Sequence, residues 1–533
     1  MSAVTPPPGS RTRRIGGDFA AMATGVIARA ALAAAISIVT ARALAPAEMG
    51  RYAFLVWLAG LVPVALSLGV PTAITRYTAQ AVGGGRPAAA GALVLRLVRA
   101  QAWLSLAGAA LLAATAALPG VGRAWMLPLA LTAACLPLLV LHGSATALLA
   151  GLQRFRWPAA LGVAQLVLHI TLLVPVALLK PGVASFLAVH LAVNTLALAA
   201  LVVAGWRAGR ALGVWPPAPA SERPAGGVLR YTGAVSALVI LDAIVWQRTE
   251  IAFLQLLSPP AEVAFYALAF GIAGQISRLP YQASIVLFPE FPRLIGAGRR
   301  DDLAALHGTA MRYLLLLGAP LAIGLAVIAP FLVRTLYGPL YTPAGLVLAL
   351  LALGSLPTYL AGASPAVLHA TGREDRLVRQ AVIAAVLNVA LAAALVPLAG
   401  ALGAALANVV AQSAASALAI RAAMQQGAAG VRAPALARIV GAALVMGAAA
   451  ALAAGVTGGI SGLVAAVLAG AAVYPLALRA LGALTAEDLD RARVVVERLP
   501  RGLHTRILTL VAFLCRVRTR PAGAGEPSRV GTP

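Results

Sequence analysis

Among the residues of this 533-residue chain that carry charge or amide chemistry inside otherwise apolar stretches, seven stand out: Arg29, Asp242, Arg248, Glu250, Gln275, Arg278 and Gln282. Gln275, Arg278 and Gln282 stand at i, i+3 and i+7, so a helix would place all three on one stripe, as expected along a water-filled passage. At 100° per residue, Asp242, Gln247 and Glu250 share a broad arc while Arg248 points elsewhere. One helix would then present acids to one environment and a cation to another. Arg29 lies about eleven residues into the first apolar run, too deep to reach the headgroup layer easily. An ionisable group at mid-membrane costs about 2.5–3.5 kcal/mol, so each of these needs a wet cavity or a partner. Guanidinium groups in such a cavity suit a phosphate-bearing ligand, and buried acids suit a coupling cation or proton. Arg29, Arg248 and Arg278, with Gln275 and Gln282, are therefore the candidates for binding, and Asp242 with Glu250 for ion coupling.

Other chemistries find no support. The chain has no Gly-x-x-x-x-Gly-Lys loop and no His-Glu-x-x-His pair, and Gly83-Gly84-Gly85-Arg86 reads as a flexible turn. His142, His169 and His190 follow no metal-ligand spacing and are expected to serve packing, as are the bridging amides Asn194, Asn388, Asn408 and Gln412. Two cysteines, Cys135 and Cys515, provide neither a disulfide framework nor a thiolate metal site. No catalytic residue, metal or cofactor is expected, and the chain does not read as an enzyme.

The elements that must position these residues follow from composition. With 61% hydrophobic and 11% charged residues and a mean hydropathy of +0.91, the chain is an all-α polytopic membrane protein. About fourteen spans are expected, at residues 18–43, 53–79, 90–118, 125–151, 158–179, 183–205, 229–257, 262–290, 308–334, 344–369, 377–397, 400–423, 436–456 and 459–481. The first is too long for a cleaved signal segment.

A formal net charge of +25 would suggest nucleic acid in a soluble protein, yet here the arginines collect in alternate loops. Arg86, Arg154, Arg156, Arg207, Arg210, Arg293, Arg299, Arg373, Arg376 and the basic tail fall on one side, which the positive-inside rule makes cytoplasmic together with both termini. Residues 1–17 form an N-terminal tail. The proline-rich segment 206–228 reads as a cytoplasmic linker between a first lobe at 18–205 and a second at 229–423. Spans 436–481 are appended, and the basic tail 482–533 has a helix start at Thr485-Ala486-Glu487-Asp488 and an amphipathic stretch suited to the anionic inner leaflet.

Internal repetition supports the two lobes. Pro46-Ala47-Glu48-Met49-Gly50-Arg51-Tyr52-Ala53-Phe54 returns as Pro260-Ala261-Glu262-Val263-Ala264-Phe265-Tyr266-Ala267-Leu268, and Ala150-Gly151-Leu152-Gln153-Arg154 corresponds to Thr371-Gly372-Arg373-Glu374-Asp375. Paired halves are how many transporters build a site that opens alternately to either side.

The run from Arg42 to Ala53 resembles the opening signature of polysaccharide flippases in the multidrug/oligosaccharidyl-lipid/polysaccharide exporter superfamily. Gly69 with Pro71, Gly151-Leu152-Gln153-Arg154-Phe155, Phe265-Tyr266-Ala267 and Leu368-His369-Ala370-Thr371-Gly372-Arg373 continue the likeness over about residues 15–480. What it implies is a carrier of two pseudo-symmetric six-helix lobes plus two C-terminal helices in the bacterial cytoplasmic membrane. Such a carrier flips an undecaprenyl-pyrophosphate-linked oligosaccharide from the inner to the outer leaflet by alternating access. Its implied partners are that lipid-linked oligosaccharide, membrane lipids and the polymerase or glycosyltransferases of the same pathway, with no nucleic acid. A lipid II-type flippase and a drug or cation antiporter of the same superfamily are the alternative expectations.

Overall fold

The structure, a computed structural model, describes residues 28–118, 122–217, 232, 236, 248–287, 290–490, 508–509 and 511–515. Among them all regular structure is helical, and ten helices are long and apolar enough to cross a membrane. After helix α1 (28–43) come α2 (Pro46–Ser67), α3 (Val70–Gly83), α4 (Pro87–Thr115), α5 (Arg123–Gly151), α6 (Arg156–Leu179) and α7 (Val183–Ala211). The second group is α8 (Glu250–Leu257), α9 (Pro260–Leu287), α10 (Glu290–Gly296), α11 (Arg300–Tyr337), α12 (Pro343–Gly354), α13 (Leu356–Ala361), α14 (Ser364–Ala370) and α15 (Glu374–Met424). α16 (Ala433–Thr457) and α17 (Gly459–Ala480) pair with each other and lean on α11.

The helices depart from the expected spans at three places. The one at 53–79 is two helices, α2 and α3, because Leu68 and Gly69 both take left-handed backbone, with φ of 46° and 64°. Pro46 starts α2 early, where its missing N–H costs nothing. The Ser67 carbonyl beside the break accepts from Gln101 Nε2 at 2.9 Å, and Ser144 donates to the other end of that amide. The spans at 377–397 and 400–423 belong to one 51-residue helical stretch, α15, interrupted at Ala399 and Gly400. Unbroken, it would run about 75 Å, over twice the hydrocarbon thickness, so the break divides it into two crossings. Glu262 of the second repeat supplies the partner for the new helix start, accepting from the Ala401 N–H at 2.8 Å.

The third difference bears on the site. In the span expected at 229–257, Arg248 has φ of 60° and the described helix begins only at Glu250. Asp242 and Gln247, the other members of the helical-wheel reading, lie outside the described residues. Neither Gly nor Pro marks this left-handed position in the sequence. α7 also runs past the expected span end through Arg207 and Arg210 to Ala211, and Val214 is buried against Gly91 of α4, so the start of the 206–228 segment is docked on the first group.

Both repeats open a helix at their proline, and they face each other. A Cβ on Gly50 would collide with the carbonyl oxygen of Pro260 and lie 2.6 Å from its carbon. Around this contact, Met49, Tyr52 and Leu55 of α2 share one core with Val263, Ala264 and Tyr266 of α9. Arg42 donates from Nε to the Leu336 carbonyl at 2.7 Å and from Nη2 to that of Thr335 at 2.8 Å, and the Tyr341 hydroxyl donates to the Leu44 carbonyl at 2.9 Å. The two groups are thus sealed together at the end where α1 finishes and α2 and α9 begin. The second pair of repeats shares a turn geometry, but two residues out of the expected register, which set Gly151 opposite Gly372: Gln153 and Gly372 are both left-handed, and the Arg154 and Arg373 N–H groups each bond a carbonyl five residues back at 2.8 Å.

A clamp ties the segment after α17 to α11. Asp488 accepts from both terminal nitrogens of Arg312 at 2.7 Å and from the Tyr313 hydroxyl at 2.6 Å, and its carboxylate takes the Thr485 N–H at 2.7 Å as a helix cap. Beyond it, Ala512 and Cys515 bury against Leu489, with Leu508 and Val511 packed alongside. Burial pushes the Asp488 carboxyl up, but hydrogen bonds from Arg312 and Tyr313 outweigh it and hold the group below its ordinary value of 3.8. The clamp's stabilisation is therefore fully present above that ordinary value and is lost only as pH falls through the depressed one. Changing Asp488 to Asn is expected to release the tail, read as faster proteolytic removal of residues beyond about 484 at neutral pH. Unchanged cleavage would show that the clamp does not hold the tail.

Candidate functional site

Arg248, in left-handed backbone two residues before the start of α8, borders a cavity of about 470 Å³ within the second group. Arg248 and Gln275 both line it, so the structure brings two of the binding candidates together. Ser277, Ser355, Thr358, Asn408 and Gln412 add hydroxyls and amides from α9, α13, α15 and the turn between α12 and α13, and Phe270 with Leu351 and Val409 supplies apolar wall. The Arg248 guanidinium carbon sits 4.8 Å from the Phe270 ring centroid, a cation–π contact that fixes the charge at the wall. A non-glycine residue in left-handed backbone costs on the order of 1 kcal/mol and persists only where the surroundings enforce it. Arg248 lines the cavity, whereas Glu250 is not among the described residues that line it.

Glu250 is fully buried at the start of α8 and receives Asn408 Nδ2 on Oε1 at 2.8 Å. Asn408 itself is 7% exposed and also lines the cavity, so one side chain joins the acid to the cavity wall. Tyr266 and Asn388 lie around the same carboxylate, and Asn388 Nδ2 donates to Thr249 Oγ1 at 3.4 Å. Glu250 Oε2, Asn388 Oδ1 and the Tyr266 hydroxyl are buried without a hydrogen-bond partner among the described residues. This cluster of buried oxygens, a carboxylate with the Tyr266 hydroxyl and the Asn388 amide beside it, is chemically fit to hold a small cation or a proton. The bridging role expected of Asn388 and Asn408 is met, since each joins α15 to the residues that follow Arg248.

The remaining candidates are distributed differently. Arg29 is exposed on α1, and its guanidinium lies along α6 at Gly162, where an added Cβ would be 3.4 Å from Nη1. It is not among the described residues lining the cavity. Arg278 and Gln282 lie on α9, but their side chains, like all of Asp242 and Gln247, fall outside the described residues. His169 and His190 meet between α6 and α7 with ring centroids 5.9 Å apart, beside Gln165, which donates to Asn194 at 3.2 Å. That arrangement is helix-to-helix packing, as expected of the histidines. Sequence reasoning missed Ser277, Ser355 and Thr358, whose short side chains give no signal in an apolar run, and it treated Gln412 as a bridge only.

A family model described as polysaccharide biosynthesis protein matches residues 15–295, and one described as lipid II flippase MurJ matches residues 263–470. No curated protein sequence matches the chain. Among solved structures, a lipid II flippase MurJ in an inward closed conformation is similar at a TM-score of 0.67 and 14% identity, covering 85% of this chain and 97% of that one. An inward-facing multidrug resistance MATE family transporter of the MOP superfamily is similar at 0.55 and 15% identity, covering 75% and 94%.

Proposed function

Because the chain belongs to the polysaccharide biosynthesis protein family, within a superfamily of flippases and transporters, we propose that it moves an undecaprenyl-pyrophosphate-linked oligosaccharide from the cytoplasmic to the outer leaflet. The observation that carries this reading is Arg248, a cation held in left-handed backbone at a cavity lined by amides and hydroxyls. Sugars and pyrophosphate lose hydration in hydrocarbon while a polyprenyl tail does not, so the carrier must offer the headgroup a polar cavity with cations and leave the tail in lipid. Arg248 and Gln275 serve the headgroup there. Arg29, on the other group of helices, and Arg278 with Gln282 on α9 complete the assignment.

In this reading the lobes are residues 18–205 and 229–423 with both termini cytoplasmic, so the seal at Gly50 and Pro260 closes the outer side. Cargo loads from the inner leaflet, and rocking of the lobes opens the seal to release it outward. Glu250, with Asp242 as second candidate, binds the coupling cation or proton, and Asn408 links its occupancy to the cavity. E250Q is expected to abolish the dependence of transfer on the ion gradient while cargo binding remains; gradient dependence equal to wild type would make Glu250 structural.

A lipid II-type cargo is the second reading, favoured by the MurJ model's match to residues 263–470, which include most of the cavity. A cationic drug is disfavoured by the fixed charge of Arg248 at the cavity wall. Proteoliposomes decide between cargoes: transfer of an undecaprenyl-pyrophosphate oligosaccharide to the opposite leaflet, read with an impermeant lectin, is expected to exceed transfer of lipid II. The reverse order would favour the second reading.

A further inference from the structure

Three polar side chains of the cavity make no hydrogen bond to another described residue. Ser277 shares a hydrogen bond with Tyr359 at 2.9 Å, Ser355 donates to the Ala352 carbonyl at 2.6 Å, and Asn408 is committed to Glu250. Gln275, Thr358 and Gln412, by contrast, make no hydrogen bond to another described residue, although they line the same space from α9, α13 and α15. Polar groups that serve helix packing spend their donors and acceptors on neighbouring helices. Three neutral groups from three helices, all unspent and all facing one cavity, are arranged for a ligand.

The room available identifies the kind of ligand. Gly271 and Gly274 form part of the α9 wall, and a Cβ added to either would meet nothing within 4 Å. The 470 Å³ they help leave open exceeds the need of two phosphate groups at Arg248. Amides and a hydroxyl both donate and accept, which suits the vicinal hydroxyls of a sugar ring and not a second anion. We propose that Gln275, Thr358 and Gln412 form a subsite for the sugar ring directly attached to the pyrophosphate, with Arg248 holding the phosphates at its edge. The proposal rests on the lipid-linked cargo assigned above and adds to it where the first sugar is recognised and by which residues.

Equilibrium binding in lipid nanodiscs tests it with two probes, undecaprenyl pyrophosphate and the same lipid pyrophosphate bearing one N-acetylhexosamine. Wild type should bind the glycosylated probe more tightly than the bare one. Q412A and T358V should each erase about fivefold of that preference, the size expected for one hydrogen bond, and leave affinity for the bare probe unchanged. G274L, which fills the open wall, should remove the preference altogether. T358S, which keeps the hydroxyl, should behave as wild type and so separates recognition from misfolding. Equal losses for both probes in Q412A and T358V, or no preference in wild type, would overturn the subsite. The cargo reading fails separately, if R248A leaves binding of the bare pyrophosphate unaltered.

Discussion

Replacing Gly50 by leucine is expected to abolish surface polysaccharide while the protein still accumulates in the membrane. Gly50 is the point where the two repeats touch, and even a Cβ there would collide with the Pro260 carbonyl. The closed seal cannot accept a larger side chain unless α2 and α9 move apart. That movement would also disrupt the bonds from Arg42 to the Thr335 and Leu336 carbonyls and from Tyr341 to Leu44. Overpacking costs about 1–3 kcal/mol and each lost bond about 1 kcal/mol. The equilibrium between seal-closed and seal-open forms should therefore shift by roughly a hundredfold or more. Gly60 provides the control, since it lies on the same helix and an added Cβ meets nothing within 4 Å. G60L should export normally. An impermeant thiol reagent added outside should reach T358C in the G50L background and not in the wild-type background. Normal polysaccharide output from G50L would show that closure at the two repeats is not part of the cycle.

The second large effect is expected at Arg248, where charge and backbone can be separated. R248A removes the cation but must still adopt φ of 60°, whereas R248G removes the cation and accepts that backbone without strain. If the guanidinium serves the headgroup, both variants should lose transfer by about a hundredfold, in line with a charge-assisted bond worth roughly 1.5–3 kcal/mol, and R248G should be the more thermally stable of the two. R248K should retain a fraction of activity, because an ammonium keeps the charge but not the paired donors. Full activity in R248G would place the function of this residue in its left-handed backbone alone.

Much of the fold was legible because hydrocarbon imposes simple requirements. Apolar runs of about 20 residues located most of the helices, and the two proline-initiated repeats marked the surfaces that meet at the seal. The left-handed positions were less legible. Gly69 and Gly400 announce two of them, since glycine takes left-handed backbone without strain, but Arg248 has no such signature. Phe270 at the cavity wall and the buried Glu250 cluster two residues on lie beside it, and periodicity within one segment cannot see either. Of the candidate residues, Arg248, Gln275 and Glu250 gather at one place because a charge in an apolar run is conspicuous. Thr358 and Ser355 are not conspicuous, and only the packing of α9, α12, α13 and α15 brings them to the same cavity.

The most direct test is the appearance of an undecaprenyl-pyrophosphate oligosaccharide in the outer leaflet of proteoliposomes containing the purified protein, with wild type and R248A compared under the same ion gradient. Transfer by wild type above protein-free vesicles, reduced about a hundredfold in R248A, is the expected result. No transfer by wild type, or equal transfer by both proteins, would contradict a flippase that holds an anionic headgroup at Arg248.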